Sequence, residues 1–99
     1  MYVIRETFVA KPGQASKLAR LMKEAIALTP NRTGMRLLTD FVGPFNTVVI
    51  ESEVADFAQY EAEMRTYMTD PRYAAFRDKM AGYTDMYVSG KREIWRLVD

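Results

Sequence analysis

The sequence predicts an α+β domain: a four-stranded antiparallel sheet with its helices on one face. Three observations carry that expectation. Short β-rich runs open and close the chain, two more lie mid-chain around a four-residue turn, and stretches of helical spacing separate them.

Tyr2 to Ala10 reads as the first strand. Tyr2, Ile4 and Phe8 alternate to one side and Val3 and Val9 to the other, with Arg5, Glu6 and Thr7 between them. Lys11-Pro12-Gly13 breaks the strand, and Pro suits a helix start because the N–H it lacks would be unpaired there. Ala15, Leu18, Ala19, Met22, Ala25 and Ile26 then recur at helical spacing. Thr29-Pro30-Asn31 stops this helix, since the ring of Pro30 disfavours α geometry in the residue before it.

Met35 to Val42 and Thr47 to Val54 form two strands joined by Gly43-Pro44-Phe45-Asn46, a link short enough for a hairpin. Phe57, Tyr60, Met64, Tyr67 and Met68 mark a second helix. Asp70-Pro71 sets a capping carboxylate and a preorganised first residue before another helical piece. Tyr73, Phe76 and Met80 are its stripe, and Gly82 is its stop. Thr84 to Val98 is the last strand. The order β-α-β-β-α-(α)-β is the split βαβ of a ferredoxin-like fold, in one domain over residues 1–99.

Cysteine and histidine are both absent. That removes disulfides, thiolate nucleophiles, Ser-His-Asp and Cys-His arrangements, and the commonest ligands of metals and haem. Neither a phosphate loop nor a dinucleotide fingerprint is present. Glu51 and Glu53 share a strand face without evident partners, so no metal and no cofactor is expected. Net charge is +1, with basic Lys17, Arg20 and Lys23 and acidic Asp56, Glu61 and Glu63 reading as solvated helix faces. Thr47-Val48-Val49-Ile50-Glu51 lacks the stacking aromatics of an RNA-binding sheet, which argues against nucleic acid. No apolar run approaches the roughly 20 residues that span a bilayer. Nor does a leader precede Tyr2-Val3-Ile4, so a cytoplasmic location away from membranes is expected.

Helices on one face leave the other bare, yet Val3, Val9, Val49, Trp95 and Leu97 fall opposite the apolar residues beside them. Monomers seldom expose apolar patches beyond a few hundred Å². A second copy is the expected cover, with Val49 and Trp95 anchoring fold and dimer together. The last strand argues the same way. Thr84 to Val98 would span roughly 50 Å, against a domain diameter of about 30 Å. It must bend at Ser89-Gly90 or reach across a partner.

Lys11-Pro12-Gly13 and the closing Ser89-Gly90-Lys91-Arg92-Glu93-Ile94-Trp95-Arg96 resemble NIPSNAP-type members of the dimeric α+β-barrel superfamily. Antibiotic-biosynthesis monooxygenases are related to these in fold. The resemblance implies a homodimer whose two sheets close a barrel, and a cavity between each sheet and its own helices. It implies no particular reaction.

Candidate ligand-binding residues follow from residue type. Glu6, Arg36, Asp40 and Arg92 are charges set in strands, where burial is costly without a partner and where they could orient a ligand in an apolar pocket. Tyr60 and Tyr67 stand out in the helical stripe, because a buried phenol wants a hydrogen-bond partner, although packing alone explains such a stripe. No catalytic residue is assigned. Two functions fit. One is a protein binding a small apolar or aromatic molecule, or a cofactor-free enzyme acting on it. The other is a non-catalytic homodimeric interaction or structural module.

Overall fold

The computed structural model describes residues 1–30 and 34–98; Asn31, expected to help end the first helix, lies outside them. Strand β1 (Tyr2–Ala10), helix α1 (Ala15–Ala27), strands β2 (Arg36–Thr39) and β3 (Thr47–Val54), helices α2 (Phe57–Thr69) and α3 (Ala74–Met80), and strand β4 (Tyr87–Arg96) follow the expected order. Short 3-10 turns at Pro71–Tyr73 and Tyr83–Met86 lead into α3 and β4.

The strands pair antiparallel in the order β2-β3-β1-β4. Ile4, Glu6 and Phe8 lie opposite Ser52, Ile50 and Val48 on one side and Ile94, Arg92 and Gly90 on the other. Side chains alternate along a strand, so these residues share one face. That face meets the helices. Leu18, Met22 and Ala25 of α1 and Phe76 and Met80 of α3 close over Phe8, Ala10 and Val48 in one continuous core. Each such large side chain contributes roughly 1.5–3 kcal/mol by leaving water.

The helices are held differently. Gln14 gives α1 no side-chain cap, so packing does the work there. Helix α2 buries no residue but is capped: Asp56 Oδ1 accepts from Gln59 N at 2.7 Å, and Gln59 Oε1 accepts from Ala55 N at 2.6 Å.

Three expectations need correction. The sheet is open, ending in the edge strands β2 and β4, and is neither closed nor curled, so the expected barrel is absent. Strand β2 stops at Thr39 rather than Val42, because Asp40 Oδ1 takes the Thr47 N–H at 2.9 Å and closes the hairpin early. The last strand is shorter than Thr84 to Val98, and its register slips between Val9 and Ala10, which face Ser89 and Tyr87. Val88 is the extra residue, a bulge beside Ser89-Gly90 that supplies the expected bend. Among the described residues no helix is long and apolar enough to cross a membrane.

Candidate functional site

Pairing of β1 with β4 sets Glu6 directly opposite Arg92 on the helix-covered face. Arg92 Nη2 lies 3.3 Å from Glu6 Oε2. Next along the strands, Gly90 faces Phe8 and makes room: a Cβ there would stand 3.3 Å from Phe8 Cδ1 and 3.5 Å from Tyr87 Cε2. The space left is a groove of about 470 Å³ beside edge strand β4, lined by Glu6, Phe8, Tyr83, Tyr87, Gly90 and Arg92 among others.

Aromatic rings shape this groove. Phe8 meets Tyr87 and Tyr83 edge-on at centroid separations of 5.1 and 6.2 Å, and the two tyrosines tilt against each other at 5.6 Å. The turn that presents them depends on Gly82, whose φ of 85° is a left-handed conformation that costs other residues energy.

Helix α2 brings two phenols up beside Arg92 and Glu6, behind the residues that line the groove. The Arg92 guanidinium sits 6.0 Å from the Tyr60 ring centroid, within cation–π range. The Tyr60 hydroxyl is buried within reach of that guanidinium, which only donates, so the phenol's own proton finds no acceptor among the described residues. Tyr67 packs against Phe76 at 4.6 Å and Tyr73 at 6.0 Å. Burial pushes its phenol up to about 12; the nearby Tyr83 and Glu6 add to the rise and Arg77 opposes it. Burial likewise raises Tyr83, helped by Tyr87 and Glu6. Both remain neutral hydroxyl groups well above neutral pH.

Of the expected ligand-binding residues, Glu6, Arg92, Tyr60 and Tyr67 therefore converge. Arg36 and Asp40 do not join them. Arg36 lies on the opposite face, where its Nε donates to Glu51 Oε1 at 2.7 Å while Arg5 Nε donates to Oε2 at 2.6 Å. Glu51 thus has two partners, in a row that Glu93 extends opposite Arg5. The carboxylate is almost shut off from water, with these two guanidiniums against it on the face the helices leave bare. The Arg5 hydrogen bond does most to hold its carboxyl below the ordinary value; burial opposes it and Arg36 reinforces it. Asp40 is occupied in the hairpin.

Phe8, Tyr83, Tyr87 and Gly90 were not among the candidates. Their meeting depends on the β1–β4 register and its bulge, which residue spacing does not reveal; Gly82 just before Tyr83 was the one local signal. A second groove, of about 340 Å³, lies on the uncovered face among Val3, Arg5, Arg36, Trp95, Leu97 and Val98. There the Arg5 guanidinium stands 5.7 Å from the Trp95 ring centroid.

No protein-family model matches the chain, and no curated protein does. Solved structures do. A NIPSNAP family protein from Agrobacterium tumefaciens matches with a TM-score of 0.80 at 18% identity, over 99% of this chain and 93% of that one. An uncharacterized NIPSNAP-like domain protein from Burkholderia xenovorans gives 0.80 at 16% identity, over 98% and 84%. An antibiotic biosynthesis monooxygenase gives 0.70 at 16% identity, over the whole of both chains. Identities this low establish a shared fold and nothing finer.

Proposed function

We propose that the chain binds a small aromatic or apolar molecule in the groove between the Glu6–Arg92 pair and the rings of Phe8, Tyr83 and Tyr87. The observation that carries this reading is the Tyr60 hydroxyl, buried against the Arg92 guanidinium, which can donate to it but cannot accept its proton. An orphaned buried donor costs about 1–3 kcal/mol, which a ligand acceptor would recover. Arg92 has donors to spare as well, since a guanidinium carries five N–H groups and Glu6 engages one side of it. A flat ring would lie against the aromatic wall with an oxygen toward Arg92 and Tyr60. Among the described residues Glu6 is the one carboxylate lining the groove, so any proton taken from such a ligand would fall to it. The fold shared with an antibiotic biosynthesis monooxygenase agrees with turnover of a bound molecule as well as with simple binding.

Anilinonaphthalene sulfonate tests the reading, because it joins fused rings to an anionic group. Its fluorescence should rise saturably with protein. Arg92→Gln should weaken binding about 10- to 100-fold, the worth of a charge-assisted hydrogen bond. Gly90→Leu should abolish binding by filling the space over Phe8, while Arg36→Gln, across the sheet, should leave it unchanged. Binding that ignores Arg92 and Gly90 would place the ligand elsewhere.

We propose further that the chain works as a homodimer through its uncovered face. Leu38 and Trp95 are 42% and 49% exposed there, with Val3 and Val49 between them on the inner strands. Sedimentation at micromolar concentration should give about twice the 11.4 kDa chain mass. A stable monomer would refute this assembly.

A further inference from the structure

We infer that, in this dimer, the β2–β3 turn of each copy seats in the uncovered-face groove of the other. The inference rests on the homodimer proposed above and adds which parts make the contact. Phe41, Val42 and Phe45 of the turn are 99%, 91% and 84% exposed. They are held out rather than loosely strung. Asp40 clamps both backbone polar groups of Thr47, the Thr47 hydroxyl donates to Pro44 O at 2.8 Å, and Gly43 and Asn46 take φ of 150° and 62°. The groove, among Val3, Trp95, Leu97 and Val98, is the second unfilled apolar feature, with Arg5 and Arg36 at its rim.

Topology sets these two features at diagonally opposite corners. The turn extends from β2 and β3 at the Val9–Thr47 end, whereas the groove lies on β1 and β4 at the Val3–Trp95 end. When two copies stack face to face, a two-fold axis along the strands, or straight across them, carries the turn to the wrong corner. An axis along the other diagonal carries each turn onto the partner's groove, twice over. Strands of the two sheets then cross near right angles, one of the two ways in which sheets pack.

Area points the same way. Four strands about 4.8 Å apart and about 27 Å long offer roughly 500 Å², short of the roughly 800 Å² per partner of a stable interface. Two phenylalanines at roughly 150–250 Å² each make up the difference. Electrostatics constrains the stacking: Glu51 at the middle of the face is already paired with Arg5 and Arg36, whereas exposed Glu53, on the same face opposite Val3, must stay at the solvated rim of the contact or meet a cation of the other copy. The exposed guanidinium of Arg36 also offers an aromatic turn a cation–π contact.

The absence of cysteine makes the test direct. Phe45→Cys and Leu97→Cys variants, mixed and oxidised, should form a disulfide-linked heterodimer, because the two positions meet only across the interface. Either variant alone should cross-link far more slowly. Phe41→Ser combined with Phe45→Ser should weaken dimerisation about 30-fold or more, as loss of a packed hot spot does. The same double variant should shift the emission of Trp95, the single tryptophan, to longer wavelength. A monomeric wild type would remove the dimer itself and this contact with it. A dimeric wild type whose mixed variants fail to cross-link, and whose double serine variant dimerises normally, would overturn the turn-in-groove contact alone. So would a turn that binds phosphatidylcholine vesicles while dimer affinity is unaffected by its serines.

Discussion

Glu51 and Tyr67 respond to their surroundings in opposite directions, and each yields a pH signature. The Glu51 carboxyl sits below its ordinary value of 4.5 in the folded chain, chiefly through the Arg5 hydrogen bond. Its stabilisation is therefore complete above that value and is lost as pH falls through the lowered one. Both arginines are partly solvated, so Glu51→Gln should cost only about 1 kcal/mol at neutral pH. Thermal melts should show that gap closing as pH falls below the ordinary carboxylate value. Tyr67 runs the other way. Its phenol, raised to about 12, contributes stability that is intact below the ordinary value of 10 and disappears as pH rises toward 12. Phenolate absorbance should show a late-titrating group that Tyr67→Phe removes. The charges at risk of burial were legible from residue type alone, and Arg36 and Glu6 are both paired. Their partners were not legible, because Arg5, Arg36 and Glu51 meet only through strand register across three strands.

Helical periodicity placed α1 and α2 within a residue or two of their observed bounds, yet it could not rank them. The α1 stripe lies in the core, whereas the α2 stripe of Tyr60, Met64 and Tyr67 is only half buried and its Phe57 and Met68 are exposed. Spacing records which side chains share a side; it does not record how closely that side is covered. Leu18→Ala should therefore cost about 2–5 kcal/mol. Asp56→Ala, which removes the α2 cap, should cost about 1 kcal/mol. Hydrogen exchange offers the sharper check: α2 amides should exchange ahead of those of α1, and Asp56→Ala should speed them further without touching α1. Uniform protection of both helices would mean that α2 is held by more than its cap and three half-buried side chains. Strand β2 teaches a related lesson. Phe41 and Val42 extend an apolar run that reads as strand, but the Asp40 side chain takes the Thr47 N–H and releases them into the turn.

At the scale of the whole molecule, element order was enough to place four antiparallel strands under one helical layer. Closure was not, since it is a property of sheet edges, and both edges here are open. The bare second face was legible from alternation, but the sequence reading made Trp95 a joint anchor of fold and dimer. Within one chain Trp95 is half exposed, beneath the Arg5 guanidinium rather than inside the core. Its two roles should therefore separate. Trp95→Ala removes a cation–π contact worth about 0.5–1 kcal/mol, so a dilute, dissociated chain should lose little stability. At high concentration the wild type gains stability from association by mass action, and a variant with a damaged interface gains less. The thermal midpoint of the wild type should climb with concentration while that of Trp95→Ala stays nearly flat. Equal lowering at every concentration would instead assign Trp95 to the single chain, and the uncovered face would then lose its claim to be the interface.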